Sequence, residues 1–272
     1  MRDTDSRPLR TPRHKRPRRM PTPPRIPRGP PPSLAVNQAL FLDIDGTLLD
    51  IAPTPERVRV DPGLAALLPA VATLLDGAVA LVTGRSIRNT DRLFGELVLP
   101  VAGQHGCERR DATGTLHLHA ANTATLARLR LLIAEFAARH EGLRLEDKGA
   151  SLALHYRAVP HLASHVHQVL RAQFEAALGE GFRLQPGKRL LEVRPEGRDK
   201  GTAIRDFMNE PPFRGRVPVF VGDDRGDEHG FAVVRSLGGI AVKVGPGKTL
   251  ANHRLEDVAA VRDWLDAAVV IR

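Results

Sequence analysis

FLDIDGTLLD, residues Phe41 to Asp50, sets two carboxylates at the end of a short apolar run and follows them with Gly-Thr. Side chains two apart on an extended strand point the same way. Asp43 and Asp45 therefore converge on one point just past the strand. An open α/β sheet keeps its chemistry at that edge.

Two further runs end alike. AVALV (Ala78 to Val82) leads into Thr83-Gly84-Arg85, and VPVFV (Val217 to Val221) leads into Gly222-Asp223-Asp224. Apolar runs without polar alternation suit parallel strands covered on both faces. Helical patterns separate them: Pro62 to Leu75 before Gly77, Ser86 to Phe94 before Gly95, and Lys200 to Met208 before Pro211. The fold class is α/β, a doubly wound parallel sheet. Between about 108 and 192 the pattern changes. Asn122 can cap a helix carrying Leu126, Leu129, Leu132, Ile133, Phe136 and His140. A second helix carries Leu162, Val166, Val169, Leu170 and Phe174 and ends at Gly179. Alternating segments flank them: Thr115 to His119, Ser151 to Arg157 and Leu190 to Arg194. The expected organisation is a sheet domain of residues 37–107 and 193–272, interrupted by a smaller α+β insertion at 108–192.

The formal charge of +9 is unevenly spread. Residues 1–33 hold nine Arg and one Lys against Asp3 and Asp5, a net +8, which leaves +1 for the remainder. Ten of the 22 prolines lie there too. Such a segment buries too little apolar surface to offset chain entropy and is expected to be disordered. A solvated arm and a polyanion-binding arm both fit it; no nucleic-acid role is expected of the nearly neutral folded part. No apolar stretch reaches the roughly 18 residues of a membrane span, and no signal core opens the chain, so a cytoplasmic protein is expected. Cys107 is the one cysteine, which excludes an internal disulfide.

If the three strand ends lie side by side, Asp43, Asp223, Asp224 and Asp227 crowd one crevice. Carboxylates so placed call for a cation, and Mg²⁺ prefers carboxylate and carbonyl oxygens together with water and phosphate. Thr83 offers a hydroxyl, the Gly46 and Thr47 amides can face an anion, and Lys200 adds a cationic donor. A carboxylate beside phosphorus is placed to act as nucleophile, which suits Asp43. The second can protonate the leaving oxygen and then deprotonate water, which suits Asp45.

DIDGTL, Thr83 in LVTGR, Lys200 in RPEGRDKGTA and GDDRGDE together resemble the motifs of the haloacid-dehalogenase-like phosphohydrolases. Within that superfamily, LVTGRS, AGQHGCERRD, LALHYR, GKRLLEVRPEGRDKG and VPVFVGDDRGDEHGFAVV are similar to the bacterial trehalose-6-phosphate phosphatase family, from about Ala39 to Leu265. The resemblance implies that Asp43 is the nucleophile and Asp45 the acid/base. It implies Mg²⁺ held by Asp43, the Asp45 carbonyl and Asp223, with Asp227 and Asp224 assisting, and an insertion acting as a cap over the substrate, trehalose 6-phosphate. It carries sugar contacts onto Glu146, Lys148, Lys188 and Glu192, and a trehalose-phosphate synthase enters as a possible associate.

Lys188 and Glu192 face one side of an alternating strand, where a surface ion pair is the other reading. Gln104 and His105, after a strand end, either touch substrate or shape their loop; Gly84 and Arg85 are placed with the substrate-binding residues. The chain departs from the family pattern at Arg225 and Gly226, where a small aliphatic residue and Thr are common, so a hydroxyl is missing beside Asp227. Two alternatives remain: a capped phosphatase for sucrose phosphate or a phosphorylated glycerate glycoside, and a silent regulatory partner of the synthase.

Overall fold

The computed structural model describes residues 29–52, 58–119, 123–177, 181–187 and 189–270. The run before Asp43 forms β1 (Gln38–Leu42), buried at every residue. It pairs in parallel with β10 (Val217–Gly222) on one side and β2 (Val79–Val82) on the other. Outside β10 lie β11 (Ile240–Val244) and β12 (His253–Leu255); outside β2 lies β3 (Val101–Gly103). The chain thus leaves β1 toward one edge and later returns on the other side, so the switch point lies between β1 and β10. This is the crevice in which open α/β sheets bind ligands.

Two pairs of packed helices accompany this sheet, α1 (Pro62–Leu74) with α7 (Val258–Val270), and α5 (Lys200–Met208) with α6 (Asp227–Ser236). Asp61 caps α1 by accepting from Leu64 N at 3.1 Å, and Ser86 caps α2 (Ile87–Phe94) from Asn89 N at 3.2 Å. Asp199 and Thr202 form a reciprocal capping box at α5, which fixes where Lys200 begins. Phe41 stacks on Phe213 at 5.5 Å and meets Phe207 at 5.9 Å, anchoring β1 just before its acidic end.

The expected boundary at 108 is corrected. β4 (Glu108–Arg110) and β5 (Leu116–Leu118) continue the large sheet antiparallel to β3, giving the order β12-β11-β10-β1-β2-β3-β4-β5. The reason is a hairpin whose turn is fixed by Asp111, which accepts from the amides of Thr113 and Thr115. The smaller unit starts after β5, with α3 (Thr123–Ala138) and α4 (Ala163–Ala177) over a four-stranded antiparallel sheet. Its strands are β6 (Arg144–Asp147), β7 (Leu152–His155), β9 (Leu190–Pro195) and β8 (Phe182–Gly187), in that spatial order. β9 therefore belongs to the insertion, although residues 193–195 were expected in the core.

The sheet of this cap has two faces. Leu152, Leu154, Leu191 and Val193 join Leu129, Ile133, Val166 and Leu170 of its helices in one buried cluster. The alternate residues Glu146, His155, Glu192 and Arg194 point the other way. The expected disordered tail is corrected at its end: Gly29 O accepts from Arg254 N at 3.1 Å, and Pro32 O from Trp264 Nε1 at 2.9 Å. The rest of that tail, residues 1–28, lies outside the described residues, as do Asn122, Gly179 and the side chain of Phe174. Among the described residues no helix is long and apolar enough to cross a membrane.

Candidate active site

The ends of β1, β10 and α5 meet in a buried network. Lys200, 2% exposed, places Nζ 2.8 Å from Asp43 Oδ1 and 2.6 Å from Asp227 Oδ1. Burial pulls the Lys200 ammonium toward neutrality, but Asp227 and Asp43 outweigh it and hold its pKa above the ordinary lysine value. Burial pushes the Asp43 carboxyl up to about 7, Lys200 opposing and Asp224 and Asp223 adding to the rise. Burial likewise raises Asp223 to about 6 and lifts Asp227 well above the usual carboxylate range. Burial and mutual repulsion push all three carboxyls the same way, and a cation placed among them would oppose that shift.

The donor set fits a hard divalent cation. Carboxylate oxygens of Asp43, Asp223 and Asp227 lie within 4.8 Å of one another, and Asp223 Oδ1 is buried with no hydrogen-bond partner among the described residues. Gly46, at φ +85°, lets the chain pass this group: a Cβ there would come within 2.3 Å of Asp223 Oδ2. Asp224 stands outside the trio. Its Oδ1 accepts from Asp227 N at 3.1 Å, and Asp227 Oδ2 accepts from Asp224 N at 2.9 Å. This reciprocal pair braces the loop, while Gly226 at the N-cap of α6 offers no side-chain cap. Lys243 Nζ, on the far side, donates to the Asp223 carbonyl.

Asp45 is held apart from this trio by Arg85, whose Nε donates to Oδ2 at 2.7 Å and whose terminal nitrogen lies 2.5 Å from Oδ1. Thr83 is buried, and its Oγ1 accepts from Arg85 N at 3.1 Å. The expectation that the Gly46 and Thr47 amides face an anion is corrected. The chain turns back on itself after Asp45, and those amides donate to Leu49 O and Ile44 O at 2.7 and 3.3 Å.

A cavity of about 860 Å³ lies between core and cap, a size that suits a small organic ligand. Asp45, Arg85 and Asp223 line it from the core, and Glu146, Lys148 and His155 from the cap. Glu146 Oε2 meets His155 Nε2 at 2.8 Å, and that bond is the main reason its carboxyl titrates below the usual range. Lys148 Nζ donates to Glu192 Oε1 at 2.9 Å. His105 approaches Glu192 only to 3.7 Å. Burial, with Arg194, Lys200, Lys148 and Arg183 around it, holds the imidazole pKa well below 6.5, so the ring is neutral at pH 7 and this contact is not an ion pair.

The sequence model of the trehalose-phosphatase family matches residues 41–259. The chain belongs to the trehalose-phosphatase family. It is 42% identical over 235 residues to the trehalose-6-phosphate phosphatase of Escherichia coli strain K12, covering 86% of this chain and 88% of that one. A probable trehalose-phosphate phosphatase of Sinorhizobium fredii is 44% identical over 210 residues, covering 77% and 78%. Among solved structures, a trehalose-6-phosphate phosphatase related protein superposes with a TM-score of 0.68 at 26% identity, covering 85% of this chain and 97% of that one.

Of the core residues named from sequence, Asp43, Lys200, Asp223 and Asp227 share one crevice, Thr83 is buried just past the end of β2, and Asp45 lines the adjoining cavity. Gly84, Arg85, Glu146, Lys148 and Asp224 also line that cavity. Gln104, expected near substrate, is instead buried, its Oε1 accepting from Ser151 Oγ at 2.9 Å. It joins core to cap, because Gln104 and His105 both adopt left-handed backbone (φ 45° and 56°) that turns the loop under the cap sheet. Gly84 permits that loop: a Cβ there would lie 2.7 Å from His105 Nε2. Lys188 lies outside the described residues. The sequence reading missed Arg85 as a partner of Asp45, Lys243 behind Asp223, and Ser151. A conspicuous signal existed only for Arg85, which closes the TGR turn at a strand end.

Proposed function

We propose that the chain hydrolyses trehalose 6-phosphate to trehalose and inorganic phosphate, with Mg²⁺ as its metal, in the cytoplasm. The observation that carries this reading is the buried Asp43 to Lys200 pair beside a cavity roofed by the polar face of the cap sheet. Asp43 attacks phosphorus and forms an acyl phosphate as the bond to the sugar oxygen breaks. Asp45 gives its proton to that departing oxygen. It then takes one from the water that attacks the acyl phosphate, releasing phosphate and restoring Asp43. Lys200 counters charge on the transferring group, and Thr83 helps to position it. When bound, Mg²⁺ adds positive charge at the phosphoryl oxygens; Asp43, Asp223 and the Asp45 carbonyl would hold it, with Asp227 and Asp224 supporting them.

Glu146, Lys148, Glu192 and Lys188 are assigned to the sugar hydroxyls, which only polar side chains can read. Arg85 fixes the Asp45 carboxylate, while Gln104 and His105 shape the cap contact. The synthase that makes this substrate is the partner this reading implies.

Phosphate release from a panel of sugar phosphates, with Mg²⁺ and with chelator, tests it. Strong preference for trehalose 6-phosphate in the presence of Mg²⁺ is the expected result. Preference for sucrose phosphate or a phosphorylated glycerate glycoside would keep the core chemistry and remove the cap assignment. Inactivity of folded protein toward every member would favour the regulatory alternative.

A further inference from the structure

Arg183 of β8 and Arg194 of β9 stand directly opposite each other in the cap sheet. Like charges in that position repel. Arg194 is 2% exposed, one of the largest side chains so fully enclosed, and a guanidinium does not give up its proton inside a protein. Their partners are neutral. Arg194 donates to Gln185 Oε1 at 2.7 Å, and both guanidiniums reach the Arg198 carbonyl at 3.4 Å. The Nε of each is buried and has no hydrogen-bond partner among the described residues.

The carboxylates in this region are engaged elsewhere. Glu192 takes Lys148 at 2.9 Å, Asp199 caps α5 through Thr202 N at 2.8 Å, and Asp206 takes Arg198 at 2.5 Å. Burial pulls the Arg194 pKa below the ordinary arginine value, with Glu192 opposing and Arg183 adding to the fall. His105 Nδ1 is also buried without a partner among the described residues, and both arginines contribute to keeping that ring neutral. An enclosed guanidinium whose hydrogen-bond partners are all neutral, with a second one beside it, is costly, and a bound anion lowers that cost.

We propose that Arg183 and Arg194 bind a small inorganic anion, chloride or phosphate, at the root of the cap. The N–H groups of two forks that approach one carbonyl suit either ion, and the planar fork suits an oxyanion in particular. Neither arginine lines the catalytic cavity, although both act on His105 together with Lys200 and Lys148. The anion site adjoins the segment that joins β9 to α5, because the carbonyl both arginines approach belongs to Arg198, two residues before Lys200. An anion there ties two cap strands to the stretch of chain that delivers Lys200.

The test uses the full chain in chelator at constant ionic strength, replacing gluconate stepwise by chloride, bromide or phosphate and following the thermal midpoint. The wild type is expected to show a saturable rise of about 3 °C or more, absent in Arg183→Gln. A response to halide identifies a halide site. The phosphate response is read as the difference between the two proteins, since the catalytic crevice takes phosphate in both. Should Arg183→Gln fail to fold, anomalous scattering from a bromide-soaked wild-type crystal decides: a peak between the guanidiniums upholds the site. Equal anion responses in the two folded proteins, or water in that position, would overturn the proposal.

Discussion

Arg85 grips both oxygens of Asp45, at 2.7 and 2.5 Å, while Asp43, two residues earlier on the same strand end, is gripped by Lys200 at 2.8 Å. Neighbouring carboxylates of one motif are thereby given different cations. Asp43 is 4% exposed, whereas the Asp45 side chain is 37% exposed and faces the cavity. One is placed to react with phosphorus and the other to exchange protons with the leaving group and water.

Asp45→Asn is expected to slow the formation step with trehalose 6-phosphate by about 10²- to 10⁴-fold, the usual contribution of general acid catalysis. With p-nitrophenyl phosphate, whose leaving group departs unprotonated, the first turnover of nitrophenolate should survive. Arg85→Met should act in the same direction by about tenfold, through a carboxylate no longer fixed. Rapid-quench measurements on both substrates decide; equal slowing on both would remove the acid role.

Asp43→Asn keeps the shape of the strand end but removes the nucleophile, so turnover should fall by at least about 10⁴-fold. Acid-quenched samples should contain no acyl phosphate. Substantial residual turnover would exclude Asp43 as the attacking group.

Lys200→Met leaves Asp43 and Asp227 buried without their cation, a loss of about 3–5 kcal/mol in urea unfolding at pH 8. pH modulates the wild type as well. Burial raises folded Asp43 to about 7 and folded Asp223 to about 6, above the roughly 4 of an unfolded carboxyl. The folded chain therefore holds protons that the unfolded chain has lost, and their stabilisation fades as pH rises through 6 and 7. In chelator the unfolding midpoint should climb between pH 8 and 6, and Mg²⁺ should flatten that slope. A flat chelator profile would contradict the buried, cation-poor crevice.

Ser151→Ala removes the donor to Gln104 Oε1 and leaves a buried acceptor unpaired, at a cost of about 1–3 kcal/mol. Because that bond joins cap to core, KM for trehalose 6-phosphate should rise more than KM for p-nitrophenyl phosphate. Parallel changes in both would make the bond a matter of stability alone.

The sheet and its catalytic edge were legible because both rest on local rules. Apolar runs end in acids, helical patterns stop before Gly77, Gly95 and Pro211, and DIDGT, TGR and GDD mark three strand ends. β4 and β5 were misread because Thr115 to His119 alternates like a cap strand, and alternation identifies a strand without naming its sheet. Arg85, Ser151 and Lys243 act across 40, 47 and 20 residues of sequence, distances over which side-chain pairing leaves no periodic trace. The amides of Gly46 and Thr47 were misassigned because a turn consumed them, a choice made by the backbone beyond Asp45.

The two-faced cap sheet separates what selectivity needs from what folding needs. Leu145, Leu154, Leu191 and Val193 hold the cap together, while their immediate neighbours Glu146, His155, Glu192 and Arg194 face the core. An engineer seeking a phosphatase for a different sugar can vary the cavity-facing positions Glu146 and His155, keep the intervening apolar ones and leave the enclosed Arg194 in place. Libraries built that way should retain folded members at high frequency, and the same parity leaves natural variation free to change the substrate without rebuilding the cap.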